Sequence, residues 1–258
     1  MITRDGLRVD GQSVTVEVHD GPDEPLLFLP GYGVHPAYYR EGVRRLVRHF
    51  TVVIPDLSFR THELLPVRMV RYRAVLEEVA QRYAPGAPRA GHSFGGLMAL
   101  LGSSPAVALS PMIPIAHGWP TKVARAVLLQ LREYAGLDGW RGVVWAAGIA
   151  ADYIRTAVRR PGSLFPAVSE TLGDVLEAFL PVAPRVVMIL ADRDLLYLPA
   201  EYERYLARAA TDRIDVRRIP RGHDWPVTHP ALLEAELVRA LADGTGAHPS
   251  PAGATAQA

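Results

Sequence analysis

The chain contains no cysteine among its 258 residues. This absence excludes disulfide bonds, thiolate metal sites and a cysteine nucleophile. Lysine is almost absent as well, since Lys122 is the only one, and the formal net charge is +1. Because neither sign of charge dominates, the basic field that nucleic-acid-binding proteins carry is not expected.

Long hydrophobic runs are also missing. Arg, Asp, Pro or Gly interrupts each apolar segment well before the about 20 residues that cross a bilayer, so no membrane span is predicted. Residues 1–6 are polar and lack the apolar core of a signal peptide, which leads us to expect a cytoplasmic location. With 49% hydrophobic and 21% charged residues, the composition is that of a globular protein with a large core.

Apolar runs that suit buried strands alternate with helix-like segments along most of the chain. Residues 7–18 alternate between apolar and polar around Asp10-Gly11, which predicts an antiparallel hairpin. The later predicted strands are 26–29, 50–57, 106–109, 186–190 and, at an edge, 214–220. The predicted helices include 37–48, 67–83, 200–209 and 230–242. The alternation predicts an α/β fold with a mostly parallel central sheet and helices on both faces.

Residues 117–180 differ in character from the rest of the chain. They contain three helix-like segments separated by Gly and Pro, without a convincing strand. We therefore predict that residues 1–116 and 181–242 form the α/β core and that 117–180 are a helical insertion. Residues 243–258 are too weakly apolar to pack and are predicted to be disordered.

A G-x-S-x-G pattern at Gly91-His92-Ser93-Phe94-Gly95 lies between a predicted strand and a helix. A serine at such a sharp turn is held in a strained conformation that exposes its hydroxyl, and glycines two residues away relieve contact between strand and helix. The helix that starts at Phe94 directs N–H groups and its dipole toward a developing oxyanion. Ser93 is thus a candidate nucleophile and the Phe94 N–H a candidate oxyanion donor, although the pattern alone also fits an ordinary glycine turn.

A serine nucleophile needs a base, an acid that orients the base, and a second oxyanion donor. His223 directly follows the last predicted strand and is the candidate base. Asp192 and Asp194 both follow the strand ending near residue 190; one would orient the imidazole while the other caps a turn, and Asp194 is favoured. Glycines on either side of Tyr32 permit close approach of a ligand, so its N–H is the candidate second donor.

Two other histidines, His92 and His229, are interpreted as parts of the packing and not of the chemistry. The sequence also contains no complete cofactor-binding motif. His92 is predicted to point into the packing beneath the serine turn, and His229 to lie at the entry of the last helix. Gly31-Tyr32-Gly33 lacks the third glycine and the downstream acidic residue of a dinucleotide fingerprint, and no P-loop is present.

In combination, these features resemble the α/β-hydrolase superfamily over residues 5–242. The order of nucleophile, acid and base is that of the superfamily. The motifs, in chain order, are Leu29-Pro30-Gly31-Tyr32-Gly33, Gly91-His92-Ser93-Phe94-Gly95-Gly96, Ala191-Asp192-Arg193-Asp194 and Gly222-His223. Pro30 stands where that superfamily often has histidine, and Ala191 where it commonly has glycine. Aligning Ala191 with that glycine puts Asp194 in the place of the acid.

The resemblance implies an α/β-hydrolase fold in which 117–180 form a helical cap, and a serine hydrolase of the carboxylesterase or lipase kind. Ser93, Asp194 and His223 would form the catalytic triad, and the N–H groups of Tyr32 and Phe94 the oxyanion hole. No metal or organic cofactor is implied, and the expected partner is a small ester-like substrate.

Aromatic residues in the predicted cap and apolar residues near Ser93 indicate an apolar pocket for small to medium esters. They are Trp119, Tyr134, Trp140, Trp145 and Tyr153 in the cap, and Met98, Met112 and Ile113 near the serine. Aromatic residues at helical spacing are, however, more often core than pocket. A C–C bond hydrolase, thioesterase, lactonase or perhydrolase would use the same triad, and a weakly catalytic receptor or binding protein also stays open.

Overall fold

A computed structural model describes residues 1–9, 11–22, 24–31, 36–56, 65–113, 147–148, 151, 182–209 and 212–245. The described strands are β1 (Ile2–Val9), β2 (Gln12–His19), β3 (Pro25–Leu29), β4 (Thr51–Pro55), β5 (Arg89–His92), β6 (Ala106–Leu109), β7 (Val186–Ala191) and β8 (Ile214–Ile219). They form one eight-stranded sheet in the order β1-β2-β4-β3-β5-β6-β7-β8. The β1–β2 and β2–β4 pairs are antiparallel and all others are parallel. The predicted hairpin, the parallel sheet and the edge position of β8 are confirmed.

The described helices match the predicted ones closely. They are a 3-10 turn (Pro36–Tyr39), α1 (Arg40–Leu46), α2 (Leu65–Tyr83), α3 (Phe94–Leu100), α4 (Pro199–Ala209), α5 (Trp225–Thr228) and α6 (Pro230–Thr245). Sequence reasoning missed the four-residue α5 and ended α6 at residue 242, three residues too early. Residues 243–245, predicted to belong to a disordered tail, are therefore helical.

The core lies on both faces of the sheet, as the unbroken apolar strands predict. Within β3, Leu27 and Leu29 face one hydrophobic cluster, and Leu26 and Phe28 face the other. The first cluster includes residues of α2, α3 and α4, and the second includes residues of α1 and α6. Helix α3 is buried along its whole length. The element that follows Ser93 therefore rests in the middle of the fold.

The register of the parallel strands brings their carboxyl ends to one edge of the sheet. Leu29 pairs with Gly91, Leu109 with both His92 and Ile189, and Ala191 with Ile219. The loops that carry the predicted site residues leave the strands immediately after these pairs. They consequently meet at this edge, which is where open α/β sheets place their ligands.

Most of the predicted cap lies outside the described residues, as do Tyr32 and residues 246–258. Within 117–180 only Ala147, Gly148 and Ala151 are described, and all three are helical. A Cβ added at Gly148 would come within 2.9 Å of the Tyr38 hydroxyl, so this part of the chain packs closely on the 3-10 turn. Across the described ranges, no helix combines the length and hydrophobicity needed to cross a bilayer.

Candidate active site

Ser93 occupies a sharp turn between β5 and α3 with backbone angles of φ 54° and ψ −115°. Such a conformation costs a non-glycine residue on the order of 1–3 kcal/mol and persists only where the surroundings enforce it. The Ser93 N–H donates to the Leu109 carbonyl at 3.0 Å, and its carbonyl accepts the Met112 N–H at 2.7 Å. Both partners belong to β6 or the segment after it, so the neighbouring strand holds the turn in place.

The two glycines of the G-x-S-x-G pattern are required by close backbone approach, as predicted. A Cβ at Gly91 would lie 2.2 Å from the carbonyl oxygen of Gly95. A Cβ at Gly95 would lie 2.0 Å from the carbonyl oxygen of Leu29. The backbone of the serine turn thus touches the end of β3, where the candidate oxyanion loop begins.

Gly95→Ala is expected to destabilise the protein by more than about 3 kcal/mol, since its Cβ meets main-chain atoms that cannot move aside. The matched control is Gly6→Ala on β1, where a Cβ has no neighbour within 4 Å. That control should change stability by no more than about 1 kcal/mol. Urea unfolding of both variants measures the difference, and equal stability of the two would contradict the close approach.

The structure brings His223 against Asp194. The His223 Nδ1 lies 2.8 Å from Asp194 Oδ2, and the Asp194 side chain is completely buried. Because the carboxylate accepts, Nδ1 carries the proton, and Nε2 is left as the basic nitrogen. Asp194 Oδ1 also accepts the N–H groups of Leu196 and Tyr197 at 2.8 and 2.9 Å. These bonds fix the carboxylate in the orientation that meets the imidazole.

Asp192, the alternative acid, points elsewhere. Its side chain is 43% exposed and pairs with Arg218 at 3.4 Å. Its N–H donates to the Ile219 carbonyl, which extends the β7–β8 ladder by one bond. Of the two carboxylates that sequence reasoning left open, only Asp194 contacts the candidate base.

His92, the residue before Ser93, is buried beneath the turn, as predicted. The ring centroids of His92 and His223 are 5.0 Å apart, and His92 Nε2 donates to the His223 carbonyl at 3.0 Å. Burial, and then the neighbouring His223, lower the pKa of His92 well below its ordinary value. His92 is therefore neutral at neutral pH, and its bond to the His223 carbonyl ties the His223 loop to the serine turn.

Sequence reasoning gave no role to Ser110 and Pro111, which directly follow β6 and connect parts of the site. Ser110 has φ 40°, and its hydroxyl accepts from Trp225 Nε1 at 3.2 Å. The Pro111 carbonyl accepts from the Tyr202 hydroxyl at 3.0 Å, and that hydroxyl also lies 3.3 Å from Asp194 Oδ2. Burial, followed by the charge of Asp194, raises the pKa of Tyr202 well above its ordinary value, so the hydroxyl stays a donor. No local motif marks these residues.

The two candidate oxyanion donors have different outcomes. Phe94 is the first residue of α3, next to Ser93, where the helix dipole is positive. Its buried ring packs edge-on against Tyr72 with centroids 5.1 Å apart, which anchors this end of the helix. Tyr32 lies outside the described residues; the described chain reaches Gly31, directly before it.

One group of side chains in the described ranges has the spacing of a metal site. Ligand atoms of His92, His223 and Asp224 all lie within 4.8 Å of one another. Both ring nitrogens of His92, however, are already hydrogen-bonded, Nε2 to the His223 carbonyl and Nδ1 to the Tyr39 hydroxyl. Because ligation through His92 would break one of these buried bonds, the group fits a role within the protein better than metal binding.

The apolar residues that the sequence assigned to a substrate pocket belong mainly to the core. Met98 and Ile113 are buried within the cluster that packs on α2, α3 and α4. Met112 is only partly buried and packs against the same cluster. Of the three residues, only Met112 keeps part of its side chain exposed. The aromatic residues of the predicted cap lie outside the described residues.

Comparison with known proteins agrees with this architecture. The model of the alpha/beta hydrolase family matches residues 26–236. The chain belongs to the alpha/beta hydrolase family. The matched range runs from β3 into α6 and includes every described site residue. Membership of this family supports a hydrolase activity. A search of curated proteins found no sequence match.

Solved structures of this family superpose over nearly the whole chain. The 2-hydroxy-6-oxo-6-phenylhexa-2,4-dienoate hydrolase from Rhodococcus sp. strain RHA1 has a TM-score of 0.71 at 15% identity, covering 93% of this chain and 99% of that one. A serine hydrolase from the polyaromatic-hydrocarbon-degrading bacterium Cycloclasticus zankles has a TM-score of 0.70 at 14% identity, with 95% and 99% covered. The thioesterase domain from the curacin biosynthetic pathway has a TM-score of 0.63 at 13% identity, with 92% and 99% covered. At these identities the likeness concerns the fold.

Proposed function

We propose that the protein is a serine hydrolase that cleaves carboxylic esters through Ser93, His223 and Asp194. The observation that carries the proposal is the buried Asp194–His223 pair, 2.8 Å between Oδ2 and Nδ1. The ring of His223 lies 5.0 Å from that of His92, the residue directly before the serine turn at φ 54°. A pair of this kind next to a strained serine fits nucleophilic acyl transfer. Each of the three side chains follows a different parallel strand, and the strand register brings these ends together.

In the proposed reaction, His223 Nε2 takes the proton of the Ser93 hydroxyl as its oxygen attacks the ester carbonyl. The tetrahedral oxyanion is held by the N–H groups of Phe94 and Tyr32, and Asp194 stabilises the imidazolium. The C–O bond then breaks, and His223 gives the proton to the departing alcohol. Water, deprotonated by His223, then attacks the acyl carbon. The bond between that carbon and Ser93 Oγ breaks, the acid leaves, and His223 returns the proton to Oγ.

We propose small to medium esters with apolar or aromatic groups as the substrates. The support is the sequence of the predicted cap, which carries three tryptophans, Trp119, Trp140 and Trp145, together with Met112 near the site. Thioester hydrolysis is the second candidate, because the fold is shared with a thioesterase domain and the same three residues would serve. An activated thioester needs the same nucleophile and oxyanion stabilisation.

A substrate panel tests the proposal. We expect p-nitrophenyl esters of graded acyl length to release nitrophenol, with a kcat/KM maximum at short to medium chains, and a fluorophosphonate to label Ser93. Matched acyl thioesters and lactones, measured as kcat/KM, separate the ester and thioester candidates. Protein inactivated beforehand by the fluorophosphonate is the blank. Absence of both turnover and labelling would favour a hydrolase-fold binding protein instead.

A further inference from the structure

A chain of buried hydrogen bonds joins three separate loops of the site. Tyr39 ends the 3-10 turn and is 1% exposed. Its hydroxyl lies 3.1 Å from the Gly31 N–H and 2.6 Å from His92 Nδ1. The other ring nitrogen of His92 lies 3.0 Å from the His223 carbonyl oxygen. These hydrogen bonds, called the Tyr39–His92 link below, run from Gly31 at the entry of the candidate oxyanion loop, through His92, to the candidate base His223.

The chemistry of the partners permits one set of directions for these bonds. A carbonyl only accepts, so the proton of His92 must sit on Nε2. The Nδ1 of His92 then accepts from the Tyr39 hydroxyl, whose oxygen in turn accepts the Gly31 N–H. In this arrangement both ring nitrogens and the hydroxyl are satisfied, and a neutral imidazole is the form that fits.

Ring packing holds the same groups in position. The Tyr39 ring packs edge-on against Phe28, with centroids 5.2 Å apart, and against His92 at 5.9 Å. His92 packs against His223 at 5.0 Å, and Asp224 Oδ1 lies 3.9 Å from His92 Nε2. Since all of these rings are buried, the linked groups have little room to move independently.

We propose that Tyr39 and His92 are positioning residues that hold the base His223 and the loop entered at Gly31 in register with Ser93. The inference rests on the proposed function. The Tyr39 hydroxyl fixes the Gly31 N–H, one residue before the candidate donor Tyr32, and His92 Nε2 fixes the carbonyl of His223 itself. His92, which joins these two bonds, directly precedes Ser93. A displacement of about 1 Å at such groups can lower the rate about 100-fold. The link thus acts on the chemical step and not on substrate affinity.

Tyr39→Phe removes the hydroxyl and keeps the ring. We expect kcat to fall about 10- to 100-fold while KM changes by less than about 3-fold, because the link orients reacting groups. The matched control is Tyr83→Phe, which deletes a hydroxyl that donates to Asp5, on β1. The control should keep the wild-type kcat. A Tyr39→Phe kcat equal to that of the control overturns the proposal, and so does a loss confined to KM.

Two substitutions of His92 separate its two bonds. His92→Gln carries an amide near the Nε2 position and can still donate to the His223 carbonyl. His92→Asn carries its amide at the level of Nδ1 and can still accept from Tyr39, but it does not reach His223. Because the bond to the base loop is the one that positions His223, we expect Gln to retain about 10-fold more kcat than Asn. Equal losses, or the reverse order, contradict the assigned link to His223.

Failure of the proposed function and failure of the link give different results. Wild-type protein that neither turns over esters nor reacts with a fluorophosphonate refutes the function. The link is then read directly from the ring N–H resonances of protein labelled with ¹⁵N-histidine. We expect the His223 Nδ1–H resonance to shift or broaden in Tyr39→Phe and to stay unchanged in Tyr83→Phe. An unshifted His223 resonance in Tyr39→Phe overturns the positioning role whatever the activity.

Discussion

The Ser93→Ala variant is expected to lose about a million-fold in kcat on any ester that the wild-type protein hydrolyses. The change removes only the Ser93 hydroxyl, so no acyl-serine can form, while the turn held by Leu109 and Met112 keeps its hydrogen bonds. Substrate binding should persist, because the Phe94 N–H and the surrounding loops are unaltered. Single-turnover kinetics and loss of fluorophosphonate labelling measure the effect.

A second serine provides the control for this prediction. Ser103→Ala makes the same chemical change outside the site, where the hydroxyl donates to Glu77. We expect this variant to keep the wild-type kcat and its fluorophosphonate label. Ester turnover by Ser93→Ala at more than a hundredth of the wild-type rate would refute Ser93 as nucleophile, provided that unfolding shows both variants to be folded.

Asp194→Asn is expected to lower kcat about 10⁴-fold. Asp194 accepts from His223 Nδ1 and thereby keeps the proton on that nitrogen. An amide in its place offers an N–H to the ring, which favours the tautomer with the proton on Nε2, and this tautomer cannot act as base toward Ser93. The loss should appear in kcat and kcat/KM alike, because the tautomer matters to the chemical step.

Asp192→Asn is the matched control for this prediction, two residues away. It removes only one charge of a partly exposed pair with Arg218, and such pairs contribute on the order of 0–1 kcal/mol to stability. We expect kcat to stay within about 2-fold of wild type. If the large loss followed Asp192→Asn instead, the acid assigned by the contact with His223 would be wrong.

Much of the fold could be predicted because the signals are local. The apolar runs at β3, β4, β6 and β7 need two covered faces, and the alternation in β8 marks an edge, as the sheet order confirms. The G-x-S-x-G pattern likewise carries its own explanation, since the close backbone approaches at Gly91 and Gly95 leave no space for a Cβ. Steric contacts between nearby residues and the periodicity of apolar residues can be predicted directly from the sequence.

Contacts between residues far apart in the chain could not be predicted from local patterns. Sequence patterns favoured Asp194 over Asp192 but left both open, and the contact with His223, 29 residues beyond Asp194, distinguishes them. Tyr39 and His92 are 53 residues apart, and nothing in either local sequence indicates their bond. Such pairings depend on the direction in which each loop leaves the sheet.

Sequence patterns were therefore sufficient to predict the succession of strands and helices along the chain, the turn at Ser93, and the residues of the proposed triad. The tertiary structure was needed to show that Asp194 contacts His223, and that Tyr39 and His92 connect the His223 loop to the turn at Ser93. The physical reason is that turn geometry and burial patterns act within a few residues, whereas hydrogen bonds between loops require the strand register to bring their ends to one edge of the sheet.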